Sequence, residues 1–245
     1  MENLFSIEDK VIIITGAGRG IGYQLAVGLA NHSAIIYSLD KKFTKKIPKN
    51  LSSNVNEIKC DITNYNKVKQ VFKKIFVKEK RIDVLINNAG VAHNLALIEE
   101  MNSEMFSSII RDNIMPTFNM MKYIIPVMKK SNSGTVINVS SRAGRRAVPR
   151  LSAYTAAKFA VRGLTEAVAK EVQDTEIKCI SISPAGVNTG MRAMVFGQDD
   201  AENQQNTSRI TNIISRILSG SLEVLNGSDI VIIKDKEPII RVPEV

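Results

Sequence analysis

Short apolar runs alternate with longer amphipathic segments along most of the chain. The runs at 11–15, 34–39, 55–60, 82–87, 135–139 and 177–183 are rich in Ile and Val. Branched side chains suit a pleated, buried surface, so each run predicts a strand. Segments 21–31 and 65–77 return apolar residues at helical spacing. Strands separated by such helices predict βαβ units and a parallel sheet, because parallel neighbours need a long crossover. Segment 227–233 offers a last strand.

Open parallel sheets bind ligands beyond the carboxyl ends of their strands. Thr15, Asp40, Asp61, Asn88, Ser141 and Pro184 all stand at such ends. From residue 188 to about 215 the chain turns polar and irregular, around Gln198-Asp199-Asp200-Ala201-Glu202-Asn203, which predicts a substrate lid. No internal repeat and no linker rich in Pro, Gly or Ser divides the 245 residues, so one domain is expected.

Composition narrows the function classes. The chain is 44% hydrophobic and 23% charged, a globular balance far from that of disordered segments. Its net charge of +9 raises the question of nucleic acid, yet Lys and Arg are dispersed and aromatics are few. An anionic small molecule accounts for the basic surface, and no nucleic-acid partner is expected. Cys60 and Cys179 lie far apart without metal or redox spacing, so they read as small core residues and no metal is expected. The first ten residues carry Glu2, Glu8 and Asp9 and no apolar stretch, and no run is long enough for a membrane span. A cytoplasmic location is the expectation, with no membrane partner.

The first strand runs into Thr15-Gly16-Ala17-Gly18-Arg19-Gly20-Ile21-Gly22, which opens a helix. Glycines let the backbone turn sharply and approach a pyrophosphate, whose charge a helix N-terminus favours. The order is T-G-x-x-x-G-x-G; Ile21 stands where G-x-G-x-x-G needs its third glycine. Asp40, twenty residues beyond Gly20, ends the second strand. A carboxylate there accepts ribose hydroxyls and repels a 2′-phosphate, which favours NAD as cofactor. Arg19, Lys41 and Lys42 offset that repulsion and leave NADP possible.

Tyr154 and Lys158 are four residues apart in a helical run, on one face. An ammonium near a phenol lowers its pKa from about 10, so Lys158 predicts Tyr154 as a general acid or base. Ser141 precedes Tyr154 by thirteen residues and could steady a substrate oxygen, with Ser140 as its rival. Asn113 precedes Pro116, whose ring crowds the carbonyl of Asp112, so the helix is expected to bend there.

Together TGAGRGIG, the Asn87-Asn88-Ala89-Gly90 turn, Asn113, Ser141 and Tyr154-x-x-x-Lys158 resemble the short-chain dehydrogenase/reductase family over nearly the whole chain. The resemblance implies a single α/β domain, a Rossmann-type doubly wound parallel sheet with helices on both faces. It implies hydride transfer between a nicotinamide and a carbonyl or secondary alcohol, with Tyr154 as acid/base. Lys158 would lower the tyrosine's pKa and hold the nicotinamide ribose, Ser141 rather than Ser140 would orient the substrate, and Asn113 would anchor a relay water. Gly16, Arg19, Gly20, Ile21 and Gly22 fall in the phosphate turn, with Asp40 at the ribose. Asp61 and Ile62 match adenine contacts, Asn88, Ala89 and Gly90 the turn beside the cofactor, and Pro184, Val187 and Thr189 the carboxamide segment.

Two features depart from the family pattern: Ala185 replaces a glycine, making that turn less secure, and the tail lacks the Asp-Gly-Gly of carrier-protein reductases. The resemblance also implies a homodimer or homotetramer built on the helices that carry Asn113 and Tyr154. Substrate contacts are expected from His93, Asn94 and the cluster Arg142, Arg145, Arg146 and Arg150. A dinucleotide-sensing protein of the same fold without chemistry is the alternative.

Overall fold

A computed structural model describes residues 7–243. Eight strands form one sheet: β1 (Val11–Thr15), β2 (Ile35–Asp40), β3 (Val55–Lys59), β4 (Val84–Asn87), β5 (Gly134–Val139), β6 (Ile177–Pro184), β7 (Asp229–Ile232) and β8 (Ile239–Arg241). Their spatial order is β3-β2-β1-β4-β5-β6-β7-β8, parallel throughout except for β8, which runs antiparallel to β7. Strand β1 lies in mid-sheet; the chain builds outward from it to β3, then returns across β1 to build the other way. The crevice between β1 and β4, where the order reverses, is the place such sheets bind ligands.

Alternation along each strand divides the core. Ile12, Ile14, Ile36, Val84 and Ile86 face α1 (Gly20–Ala30) and α7 (Thr207–Leu218), whose Leu25, Leu29, Ile210, Ile213 and Ile214 are buried with them. Val11, Ile13, Leu39, Leu85 and Val136 face the opposite way. There they meet α2 (Tyr65–Glu79), α3 (Ser103–Ser131) and α4 (Ser152–Glu171) through Val68, Ile75, Met120, Ile124, Met128 and Val168. Burial on both faces explains why the strands read as nearly continuous apolar runs. Cys60 and Cys179 are buried free thiols, as their composition suggested.

Two expectations change. The segment from 188 is not irregular: it folds into α5 (Gly190–Phe196), α6 (Gln198–Glu202) and the start of α7. Residues 207–215 belong to the core rather than to a lid, since Ile210, Ile213 and Ile214 lie on the α1 side of the sheet. Polar residues at 189–206 hid this because they serve as caps and internal bonds, such as Thr189 Oγ1 accepting the Arg192 amide at 3.2 Å and Gln204 Nε2 donating to the Asp200 carbonyl at 3.0 Å. The strand at 227–233 is present as β7, but the chain adds β8, three residues whose pairing with β7 alone defines them.

Candidate active site

The glycine turn after β1 is locked to the end of β4. Thr15 Oγ1 accepts the amides of Asn88 (3.1 Å) and Ala89 (3.2 Å), while Asn88 Nδ2 donates to the carbonyls of Thr15 and Gly16, both at 3.0 Å. Gly16 has φ +66°, and a Cβ there would stand 2.7 Å from the Ala89 Cα, so no side chain fits. Asp40, at the end of β2, closes the other side of the turn: its carboxylate accepts the amides of Gly18 at 2.8 Å and Lys42 at 3.1 Å. Arg19 is the N-cap of α1 and provides no side-chain bond to the helix, leaving the first amides of α1 open toward the crevice.

One cavity of about 1310 Å³ runs from Asp40, Lys42 and Lys45 past Gly16, Gly20 and Ile21 to Ser141, Tyr154 and Lys158, and on to Met191, Val195 and Phe196. That exceeds the roughly 300–1,000 Å³ of a drug-sized pocket and gives room for a dinucleotide with a second small molecule. The donor set suits a dinucleotide. Gly20, at φ +58°, bares its backbone opposite Thr189, and the open helix end suits a pyrophosphate.

At the far end β5 and α4 bring three side chains to one wall. Ser141 Oγ accepts the Ala143 amide at 3.1 Å, capping a 3-10 turn at Arg142–Gly144. Lys158 is buried, and its Nζ donates to the Val139 carbonyl at 3.0 Å while standing 5.7 Å from the centre of the Tyr154 ring. Ser140 and Ser141 both line the cavity, but Ser140 Oγ donates to the Lys158 carbonyl at 2.8 Å, whereas Ser141 hydrogen-bonds Tyr154. Strand alternation leaves the serine choice open, and in the fold the two hydroxyls differ in their partners.

The electrostatics differ from expectation. Burial pushes the Tyr154 phenol above its ordinary value, and it is the Ser141 hydrogen bond that opposes the rise. Burial also lowers Lys158 to about 8. A buried ammonium already bonded to a backbone carbonyl acts on the phenol less strongly than helical spacing suggested.

Asn113 is buried on α3 and is already engaged. Its Nδ2 donates to the carbonyls of Ile109 (2.8 Å) and Val91 (2.9 Å), and its Oδ1 accepts the Val91 amide at 3.3 Å. It therefore clamps the loop after β4 onto the helix. Helix α3 continues through Pro116, and both Pro116 and Asp112 line the cavity. Proline removes the amide that would bond the Asp112 carbonyl.

Most other expected residues reach the cavity: Asn88, Ala89, Gly90, Ile62, Pro184, Val187 and Thr189 all line it. Asp61 does not, because its carboxylate holds the Thr63 amide and hydroxyl and pairs with Lys41 at 3.1 Å. His93 and Asn94 are absent from the lining; His93 is buried with Nδ1 2.7 Å from the Asn94 carbonyl oxygen. Of the arginine cluster, Arg142 and Arg146 line the cavity, Arg145 is drawn into an ion pair with Asp229, and Arg150 lies outside the lining. Ala185 has no positive φ and its amide donates to the Ile232 carbonyl at 2.8 Å, so alanine is accommodated.

Sequence reading missed Asn119. Its Nδ2 donates to the Ile62 and Thr63 carbonyls at 3.0 and 3.1 Å, fixing the loop that carries the expected adenine contact. A buried asparagine on the core face of a helix was the available signal. Among the described residues no group of three His, Cys, Asp or Glu could hold a metal, and no helix is long and apolar enough to cross a membrane.

The sequence model of short chain dehydrogenases matches residues 10–200, more than half of the chain and every element of the crevice described above. The chain belongs to the short-chain dehydrogenase/reductase family. Its relatives there include named reductases and dehydrogenases acting on carbonyl or alcohol groups. A 3-ketodihydrosphingosine reductase of Bacteroides thetaiotaomicron is 36% identical over 184 residues, 75% of this chain and 66% of that protein. The chain thus matches about two thirds of that relative's length. The NADP-bound structure of ElxO is 28% identical, with 91% of this chain and 96% of that one covered at a TM-score of 0.81. The structure of a 3-ketoacyl-(acyl-carrier-protein) reductase from Brucella melitensis complexed with NADH, 24% identical, covers 93% of this chain and 97% of its own at a TM-score of 0.84, a likeness of fold. This short-chain dehydrogenase/reductase shares its fold with both.

Proposed function

We propose that this short-chain dehydrogenase/reductase is an NAD(P)-dependent enzyme that moves a hydride between the nicotinamide and the carbonyl or secondary alcohol of a small molecule, with Tyr154 as acid/base. The observation that carries the reading is the convergence of Ser141, Tyr154 and Lys158 on one wall of the cavity that the glycine turn enters. Tyr154, raised by burial, is a phenol at neutral pH and so a proton donor to a nascent alkoxide. Ser141 Oγ accepts from Ala143, so its one hydroxyl proton serves either the Tyr154 oxygen or a substrate oxygen placed beside both. Lys158, tied to the Val139 carbonyl, has further ammonium protons for ribose hydroxyls. The bound nicotinamide supplies or accepts the hydride. The Asp112 carbonyl freed by Pro116, beside Asn113, supports a water through which the Tyr154 proton is replaced.

Asp40 at the open end of the cavity supports NAD as the favoured cofactor, while Arg19, Lys42 and Lys45 beside it keep NADP within reach. Lys41 contributes less, being paired with Asp61. On the substrate side, Arg142 and Arg146 have no charged partner among the described residues and line the cavity together with the apolar Val148, Leu151, Val195 and Phe196. This suits a carbonyl compound with an apolar body and an acidic group. Exposed Met105, Phe106 and Phe118 on α3 and Phe159 on α4 support assembly with a second copy, as a homodimer or homotetramer in the cytoplasm.

Tyr154→Phe tests the chemistry. The variant is expected to bind NADH as the parent does, measured by the fluorescence of the reduced nicotinamide, and to lose about 10²–10⁴-fold in turnover across a panel of ketones. Undiminished turnover in the variant would refute the assignment. Cofactor binding with no turnover of any panel member by the parent itself would favour the dinucleotide-sensing alternative.

A further inference from the structure

Behind the wall that carries Ser141, outside the cavity lining, lies a carboxylate that the chemistry above does not use. Asp229 opens β7 and is 2% exposed. Its Oδ1 accepts the hydroxyls of Ser181 at 2.6 Å and Ser183 at 2.7 Å, both from the neighbouring strand β6. Its Oδ2 pairs with Nη1 of Arg145 and stands 3.5 Å from Nε of Arg162 on α4. An ion pair that deep costs desolvation, and apolar side chains would stabilise the same volume as well or better. Its use is therefore sought in what it holds.

Both arginines return to the same short turn. Arg145 is the residue that ends the 3-10 turn Arg142–Gly144, and Nη1 of Arg162 donates to the Gly144 carbonyl at 3.1 Å. Gly144 itself is pressed onto α4: a Cβ there would lie 2.5 Å from Ser140 Oγ and 2.6 Å from the Lys158 carbonyl oxygen. Ser141 caps this turn through the Ala143 amide, so its hydroxyl direction follows the turn. We propose that Asp229 is a positioning residue for Ser141: through Arg145 and Arg162 it pins the turn after β5 between β6 and α4, and so sets the Ser141 hydroxyl against Tyr154. The proposal rests on the function assigned to Ser141 and Tyr154 above. Asp229 touches no substrate; it acts through the turn.

Asp229→Asn keeps the side-chain shape and removes the charge that both arginines share. Three amides report directly on the turn: Gly144 bonds the Ser141 carbonyl, and Arg145 and Arg146 bond that of Arg142. Hydrogen exchange at these three amides in the variant is expected to be at least about tenfold faster, with β1 and α1 unchanged, a pattern that general destabilisation would not give. With 1-phenylethanol and ethyl 3-hydroxybutyrate as generic secondary alcohols, kcat for oxidation is expected to fall at least about tenfold, the scale of a misplaced catalytic group. The alkaline rise of that rate should also move to higher pH, because the hydrogen bond that lowers Tyr154 is weakened. Lys158 on α4, Arg142 and Arg146 on the turn and Asp112 on α3 face the same cavity and are unaltered by the substitution. Glu166, which pairs with Arg162, is the remaining charge at the network.

Unchanged exchange at the three amides overturns the proposal whatever the activity. So does faster exchange with a smaller loss of kcat or an unmoved pH profile. Tyr154→Phe, run beside it, separates the two levels: full activity there refutes the chemistry itself, whereas an inactive Tyr154→Phe with an unaffected Asp229→Asn refutes only the anchoring role. If Asp229→Asn does not fold, Arg145→Gln, which leaves Asp229 paired with Arg162, replaces it under the same criteria.

Discussion

The carboxylate of Asp40 accepts the amide of Gly18 at 2.8 Å, so the residue expected to read the cofactor ribose also braces the phosphate turn. Each oxygen accepts one backbone amide, from Gly18 and Lys42, and has lone pairs left for ribose hydroxyls. Asp40→Ala is therefore expected to weaken both cofactors through the loosened turn, yet to raise the NADP-to-NAD ratio of kcat/KM by about tenfold, the worth of about 1.4 kcal/mol of removed repulsion. Arg19, Lys42 and Lys45 remain to meet the 2′-phosphate. An unchanged ratio, measured with any turned-over substrate, would remove Asp40 from cofactor selection.

Lys158 makes stability depend on pH in a defined window. Its folded value, about 8, lies below the ordinary 10.5, so burial disfavours the charged form. Below pH 8 the group is protonated in both states and the burial cost is fully present. Between about 8 and 10.5 the unfolded chain binds more protons than the native one, and this group's contribution to stability rises with pH, by at most about 1.4 kcal/mol per unit. Lys158→Met abolishes that titration. Urea denaturation at pH 8 and pH 10 should show the parent gaining relative to the variant; parallel changes in the two proteins would contradict the burial effect.

The parallel sheet was readable because Val and Ile runs buried on both faces leave little else for the sequence to mean. The cavity lining was readable where sequence spacing is distinctive, as with the glycine turn or the Tyr154 and Lys158 pair, which line one cavity. It was not readable where a polar side chain satisfies a neighbour instead of a ligand. Asp61 spends its bonds on Thr63 and Lys41, Asn113 on the backbone of Ile109 and Val91, and Arg145 is turned inward by Asp229, 84 residues away. The partners distant in sequence come from strand order, which local pattern does not encode. The helices α5 and α6 were hidden for a related reason: helices this short take their stability from caps and packing rather than from an apolar period.

Arg142 and Arg146 give a substrate prediction that can be read without knowing the natural compound. Both line the cavity beside Ser141, and Arg145 between them is held away. Replacing both by Ala should raise KM for keto acids by about tenfold or more, the loss of a charge-assisted bond of about 1.5–3 kcal/mol. Neutral ketones of equal size should be unaffected in KM. Equal effects on the two series would show that these arginines do not read substrate charge.

Asn113 supports two readings that stability separates. As a water anchor alone, its loss would lower turnover and leave the fold untouched. The structure has it donate to Ile109 and Val91 and accept from Val91, so Asn113→Ala strips partners from both polar groups of the Val91 backbone beside the Asn88–Gly90 turn. Unsatisfied buried groups cost about 1–3 kcal/mol each, so a loss of at least about 2 kcal/mol in urea denaturation is expected. Cofactor affinity should weaken with it, because Gly90 packs against both Asn113 Oδ1 and Lys158 Nζ. Denaturation superimposable on the parent's, with turnover alone reduced, would return Asn113 to a purely proton-relaying role.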